Sequence, residues 1–246
     1  MRKVLIWLGL AVSLLAAYVV MAQSQEGVIT YEVKINMHRT LPPDRENLKA
    51  MLPEFRTLNE QLFFNGEQSL YKPLIEDQEE PMGTGGMQIR MQLPNNELYI
   101  DWPAQKILAR QEFMGKDYLI EDTLKVAAWK FGNETKVIQG YTCKQAFYTD
   151  ESRPERKQEI TAWYTDQIRP FLGPDRFNSL PGTVLAVDIN NGERVLIARK
   201  VELRPLKKNE LKIPSRGTLT TRAEFQKVVE EQMKRMGANG GMIIRN

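Results

Sequence analysis

One cysteine and one histidine occur in the 246 residues. A single cysteine, Cys143, excludes an intramolecular disulfide in any compartment. It also lies far from the N-terminus, so it cannot carry the lipid of a lipoprotein, which needs a cysteine directly after its signal. His38, the lone histidine, leaves no second imidazole for a usual zinc set. No G-x-S-x-G occurs, and Gly83-Thr84-Gly85-Gly86 lacks the lysine and spacing of a phosphate loop. An excess of charge of one sign is missing too. The chain holds 34 Lys and Arg against 31 Asp and Glu, and setting aside Arg2 and Lys3 of the leader leaves 32 against 31. Nothing in that balance marks a nucleic-acid partner.

Long apolar runs are lacking except at the start. Arg2 and Lys3 precede an apolar run from Val4 to Val20; Val20-Met21-Ala22 resembles a small-residue cleavage site, and the chain turns polar at Gln23. That order predicts a secretory signal peptide over residues 1–22, and no transmembrane segment after its removal. Taking 22 from 246 leaves 224 residues, enough for one sizeable domain held by its own core.

What is present is mostly strand pattern. In GVITYEVKINM, Ile29, Tyr31, Val33, Ile35 and Met37 alternate with Thr30, Glu32, Lys34 and Asn36. Such alternation predicts one buried and one wet face in an antiparallel sheet. Asp44 is placed to cap a short helix within residues 44–60, interrupted at Pro53. Residues 76–88 read as an acidic, glycine-rich loop. From Glu97 onward come ELYIDW, KILARQEF, DYLIEDTL, AAWKF, TKVIQGYTCKQAFYT, KQEITAWYTDQI, TVLAVDIN and ERVLIARKVEL. Met114-Gly115 and Gly132-Asn133 separate some of these runs, and Asn191-Gly192 joins the last two as a hairpin. Many short strands without helices between them predict a mainly β meander. Near the end, Thr221 and Glu224 fit a capping box. Phe225, Val228, Val229, Met233 and Met236 form a helical stripe, and Gly237 fits the position just past a helix end. The expected division is a signal at 1–22, a β domain at 23–206 and a C-terminal helix with a glycine-rich tail at 207–246.

Candidate chemistry is sparse. Trp129, Tyr141, Phe147, Trp163, Tyr164 and Phe171 are expected to fill a core, with an apolar groove as the alternative. Cys143 is expected to be a small buried hydrophobe. A Cys143–His38 dyad would need the two to meet in space. Met82, Met87 and Met91 are soft thioether donors that would suit Cu(I). No other cofactor or metal site emerges.

The order of motifs in WKFGNETKVIQGYTCKQAFY and ITAWYTDQIRPFLGPDRFNSLPGTVLAV resembles the GLPGLI family of secreted envelope proteins. The matching positions are Trp129, Lys136, Gly140, Tyr141, Cys143, Ala146, Ala162, Trp163, Tyr164, Thr165, Gly173, Pro174, Phe177, Leu180, Pro181 and Gly182. Ser179 replaces a glycine of the naming motif, Gln145 replaces a basic residue, and Thr183-Val184 replaces Leu-Ile. The resemblance implies export to the periplasm or the outer membrane, no established activity, and no catalytic residues. It also implies a curved antiparallel sheet or half-barrel similar to periplasmic lipoprotein carriers. Pro181 fixes φ, and Gly182 is expected at an unusual φ, so the turn reads as the launch of the final hairpin. The functional expectation is a non-enzymatic envelope protein that binds a lipid or other apolar ligand, or an outer-membrane protein. Copper handling by the methionine loop is the alternative.

Overall fold

Strand β1 (Gly27–Asn36) begins a row that runs outward through half of the sheet. Ile29 lies opposite Leu62, Leu62 opposite Tyr71, Tyr71 opposite Leu98, Leu98 opposite Ala109, and Ala109 opposite Ile120. Cross-strand partners share a face, so these apolar side chains form one continuous stripe. The structure is a computed structural model that describes residues 26–41, 43–74, 96–152 and 157–238.

The strands after β1 are β2 (Phe55–Phe64), β3 (Gln68–Pro73), β4 (Glu97–Asp101), β5 (Lys106–Phe113), β6 (Lys116–Thr123), β7 (Lys130–Ile138), β8 (Tyr141–Asp150), β9 (Gln158–Thr165), β10 (Thr183–Ile189), β11 (Arg194–Leu203) and β12 (Thr218–Thr221). All twelve join one open, curved sheet, in the order β12-β6-β5-β4-β3-β2-β1-β11-β10-β9-β8-β7. A mainly β, curved meander is therefore the observed fold. Most neighbours are hairpin-connected, which is why they pair antiparallel. The exception is β12, which pairs parallel to β6 because the chain returns from β11 across the sheet instead of turning back beside it.

That return path changes the burial expected of β1. Val28, Phe63, Leu70, Tyr99 and Leu108 form a second row on the opposite face, and Leu206 and Leu211 of the crossing segment pack on it. The sheet is thus covered on both sides in its middle. Arg204 and Glu210 hold the crossing segment's bend through two 2.8 Å hydrogen bonds from the guanidinium to the carboxylate.

Several local expectations are corrected. Met37 does not continue β1 but opens a one-turn helix, α1 (Met37–Thr40), capped by the Asn36 side chain, which accepts from the Arg39 N–H. Of the helix expected within 44–60, only a 3₁₀ stretch at Pro43–Ala50 forms, and residues from Phe55 are strand because they pair along β1. TKVIQGYTCKQAFYT is two strands, with Gln139 (φ 51°) and Gly140 (φ 81°) at the turn between them. Both turn positions require positive φ, so the bend is a tight hairpin. Gly132-Asn133 is instead a register irregularity within β7.

The final helix, α2 (Arg222–Ala238), begins with the expected reciprocal cap. The Thr221 N–H donates to Glu224 Oε2 at 2.9 Å, and the Glu224 N–H donates to Thr221 Oγ1 at 3.2 Å. Phe225 packs edge-on against Tyr118 and Phe113 and buries against Ala109 and Ile120, with Val229 beside it. Val228 and Met233 are exposed, so only part of the stripe is used, and Gly237 lies inside the helix. Among the described residues no helix is long and apolar enough to cross a membrane, which says nothing of strands. The expected signal peptide and the methionine loop lie outside the described residues, as do the last eight residues.

Candidate functional site

After β9 the chain does not turn directly into β10. Residues 166–182 fold back over the sheet as a plug, and Ile168, Leu172, Phe177 and Leu180 are all buried in the core. Backbone hydrogen bonds close the plug on itself: Phe171 N–H to Leu180 O at 3.0 Å and Val184 N–H to Leu172 O at 2.8 Å. The Thr183 hydroxyl donates to Arg169 O at 2.6 Å. Arg169 in turn donates to the carbonyls of Asn65 and Gln68 in the β2–β3 turn, and burial pulls its guanidinium down to about 10.

The two glycines of the motif are needed for contact, not for unusual φ. Gly182 is absent from the positive-φ residues, which corrects the expectation. A Cβ on it would lie 2.3 Å from Thr165 O, and one on Gly173 would lie 2.0 Å from Phe177 O. Neither approach is possible for a side chain. Pro174 is buried at the first pinch, whereas Pro181 is exposed at the second. Leu-Pro-Gly therefore lets the plug lie directly on β9.

The other motif residues surround this plug. Trp129 donates its indole N–H to Ser179 Oγ and stacks on Tyr148. Tyr141 follows the Gly140 turn and is half-buried. Tyr164 is buried, with Phe131 packed beside its ring. Trp163 is half-buried beneath Lys136, whose Nζ is 4.1 Å from the ring centroid; partial burial there pulls the lysine down. Lys136 is also the register partner of Cys143. The expectation that the aromatics fill a core holds for Tyr164 but not for Phe147 and Phe171, which are 39% and 41% exposed. Phe171 sits at φ 55° and stacks on Trp102 at 5.1 Å between centroids. An aromatic residue held in the left-handed region is a genuine outlier.

His38 and Cys143 are not brought together. The His38 Nε2 donates to Leu52 O at 2.9 Å, next to α1. Cys143 is buried, its nearest polar partner is Tyr141 O, and burial pushes the thiol up to about 11. A protonated, buried thiol is a poor nucleophile. Among the described residues no group of three or more His, Cys, Asp or Glu side chains is arranged to hold a metal ion.

A polar rim that the sequence pattern did not single out lies at the other end of the plug. Tyr71 donates to Glu60, whose carboxyl is raised by burial. Next along the sheet, Arg194 pairs with Asp175 at 3.5 Å, and Arg176 pairs with Asp150 at 3.1 Å. Arg176 also donates to Gln158. These residues come from β2, β3, β8, β9, β11 and the plug, so no sequence spacing links them. Beside them is a cavity of about 240 Å³.

No known protein family matches the chain, and no curated protein does. Two structures of PNGF-II, in space groups P21 and C2, are similar in fold, with TM-scores of 0.54 and 0.55. Sequence identity is 17% in both cases over 84% of this chain. The chain spans about a third of their length, 34% and 33% respectively, so the likeness covers one part of PNGF-II and concerns the fold alone.

Proposed function

We propose that this is a non-enzymatic protein of the cell envelope that binds a protein partner of the outer membrane at its surface. The observation that carries the reading is the plug: Leu172 and Leu180 are 0% exposed and Phe177 is 2% exposed, so the chain fills its own sheet. That filling favours a surface partner over an apolar ligand held under the plug. At the rim, the plug turns Phe171 outward onto Trp102 in a strained conformation. Strained residues that survive in folded proteins cluster at working sites, and aromatic residues, Trp above all, are enriched among the anchors of protein interfaces. The basic-then-apolar order of residues 1–22, read as a leader, and the motif resemblance are what support the envelope location.

The test is a photo-crosslinking amino acid at Phe171 in cells that express the protein. The expected result is one discrete protein adduct in the envelope fraction. Adducts with lipid alone, or none at a site that reacts freely with solvent, would overturn the reading.

A further inference from the structure

The polar cavity is independent of that partner surface and lies on the opposite end of the plug. Its floor is apolar, made by Ile35, Phe177 and Ile189. Its walls carry three carboxylates, Asp150, Asp175 and Glu193, and two guanidiniums, Arg176 and Arg194. Thr40, Ser152 and Gln158 complete the polar wall.

Most of these charges already oppose each other. Asp150 faces Arg176 and Asp175 faces Arg194, while Glu193 accepts from the Asn190 side-chain amide at 2.9 Å. An anion entering the cavity meets three carboxylates. A cation meets two guanidiniums. A ligand that suits both kinds of wall donates to carboxylate oxygens, each of which can accept more than one bond, and accepts from guanidinium N–H groups; a hydroxyl does both. A ring that carries several hydroxyls around its edge and C–H groups on its face also matches an apolar floor under a polar wall.

One further observation marks the cavity as more than a surface dent. Arg194 Nε is buried without a hydrogen-bond partner, although buried donors are almost always paired. We propose that this cavity is a binding site for a small neutral polyol of the size of one hexose ring.

Calorimetric titration of the purified protein tests it, with glucose, galactose, mannose and myo-inositol as neutral probes and inorganic phosphate and ethanolamine as charged ones. Saturable binding of at least one neutral probe is expected, weakened at least tenfold in Asp175→Asn. Ser152→Ala, which removes one wall hydroxyl and no ion pair, is expected to weaken it by a smaller factor without lowering the melting temperature, so the result does not depend on how Asp175→Asn folds. The proposal is overturned if only phosphate or ethanolamine binds, if no probe binds, or if both variants bind the polyol as the unmodified protein does.

Discussion

The indole Nε1 of Trp129 donates to the hydroxyl of Ser179 at 2.9 Å, joining two motifs that lie 50 residues apart. The Ala127 N–H donates to the same oxygen at 3.3 Å. Ser179 is buried, and its one hydroxyl satisfies both donors on the approach to β7. Replacing Ser179 with alanine orphans both donors. The expected loss is about 1–3 kcal/mol, the usual range for partly buried donors left unpaired. Urea unfolding of Ser179→Ala checks it, and an unchanged midpoint would refute the role.

Gly182 and Gly140 are glycines for different reasons, and substitution separates them. Gly140 has φ 81°, and a Cβ there would meet nothing within 4 Å, whereas Gly182 has ordinary φ and no room. Asparagine tolerates left-handed φ, so Gly140→Asn is expected to be nearly neutral. Gly182→Ala forces β9 and the plug apart and is expected to lose about 1–3 kcal/mol or more. In a chain of this size each kcal/mol lowers the melting temperature by about 2–4 °C. Thermal melts of the two variants decide the matter; equal melting would sink the close-contact account.

The Arg204–Glu210 pair makes a pH prediction. Its hydrogen bonds from Arg204 hold the Glu210 carboxyl down at about 2, below its ordinary value of 4.5. A depressed carboxyl contributes stability that is fully present above the unfolded value and is lost as pH falls through the folded one. Stability from this pair should therefore drain away between pH 4.5 and about 2. The pair is near the surface, so the contribution is expected to be below about 1 kcal/mol and to shrink in salt. Comparing Glu210→Gln with the unmodified protein at pH 7 and pH 2.5 tests it: the gap should narrow at the lower pH.

Glu60 gives the opposite sign. Burial raises its carboxyl above 4.5 despite the hydrogen bond from Tyr71 and the attraction of Arg194. The folded state then holds a proton that the unfolded state has released, so stability falls as pH rises above 4.5 toward the folded value. Glu60→Gln keeps an acceptor for Tyr71 and removes the buried charge. The variant is expected to melt higher than the unmodified protein at pH 7 and to lose that advantage below pH 4.5. A lower melting temperature at pH 7 would show that the charge is favoured where it sits.

Most strands were legible in the residues alone, because alternation is a local property of the chain; the start of β2, expected to be helix, and the short β12 were not. Ile29, Tyr31 and Val33 point one way whatever surrounds them, and the Thr221–Glu224 cap needs only three residues of spacing. Asn191-Gly192 likewise marked a turn, since positive φ is a demand on the residues themselves. Gln139-Gly140 escaped because glutamine rarely adopts φ 51° and no alternation breaks at the turn. Relationships between distant segments came from the folded chain instead. Val28 is buried because residues 204–217 cross above it, and Gly182 must be glycine because the plug rests on Thr165. Glu60, Asp175 and Arg194 meet because β2, the plug and β11 converge on one rim. Those outcomes depend on which surfaces are pressed together, and a chain's local pattern fixes the direction of a side chain but not what it will face.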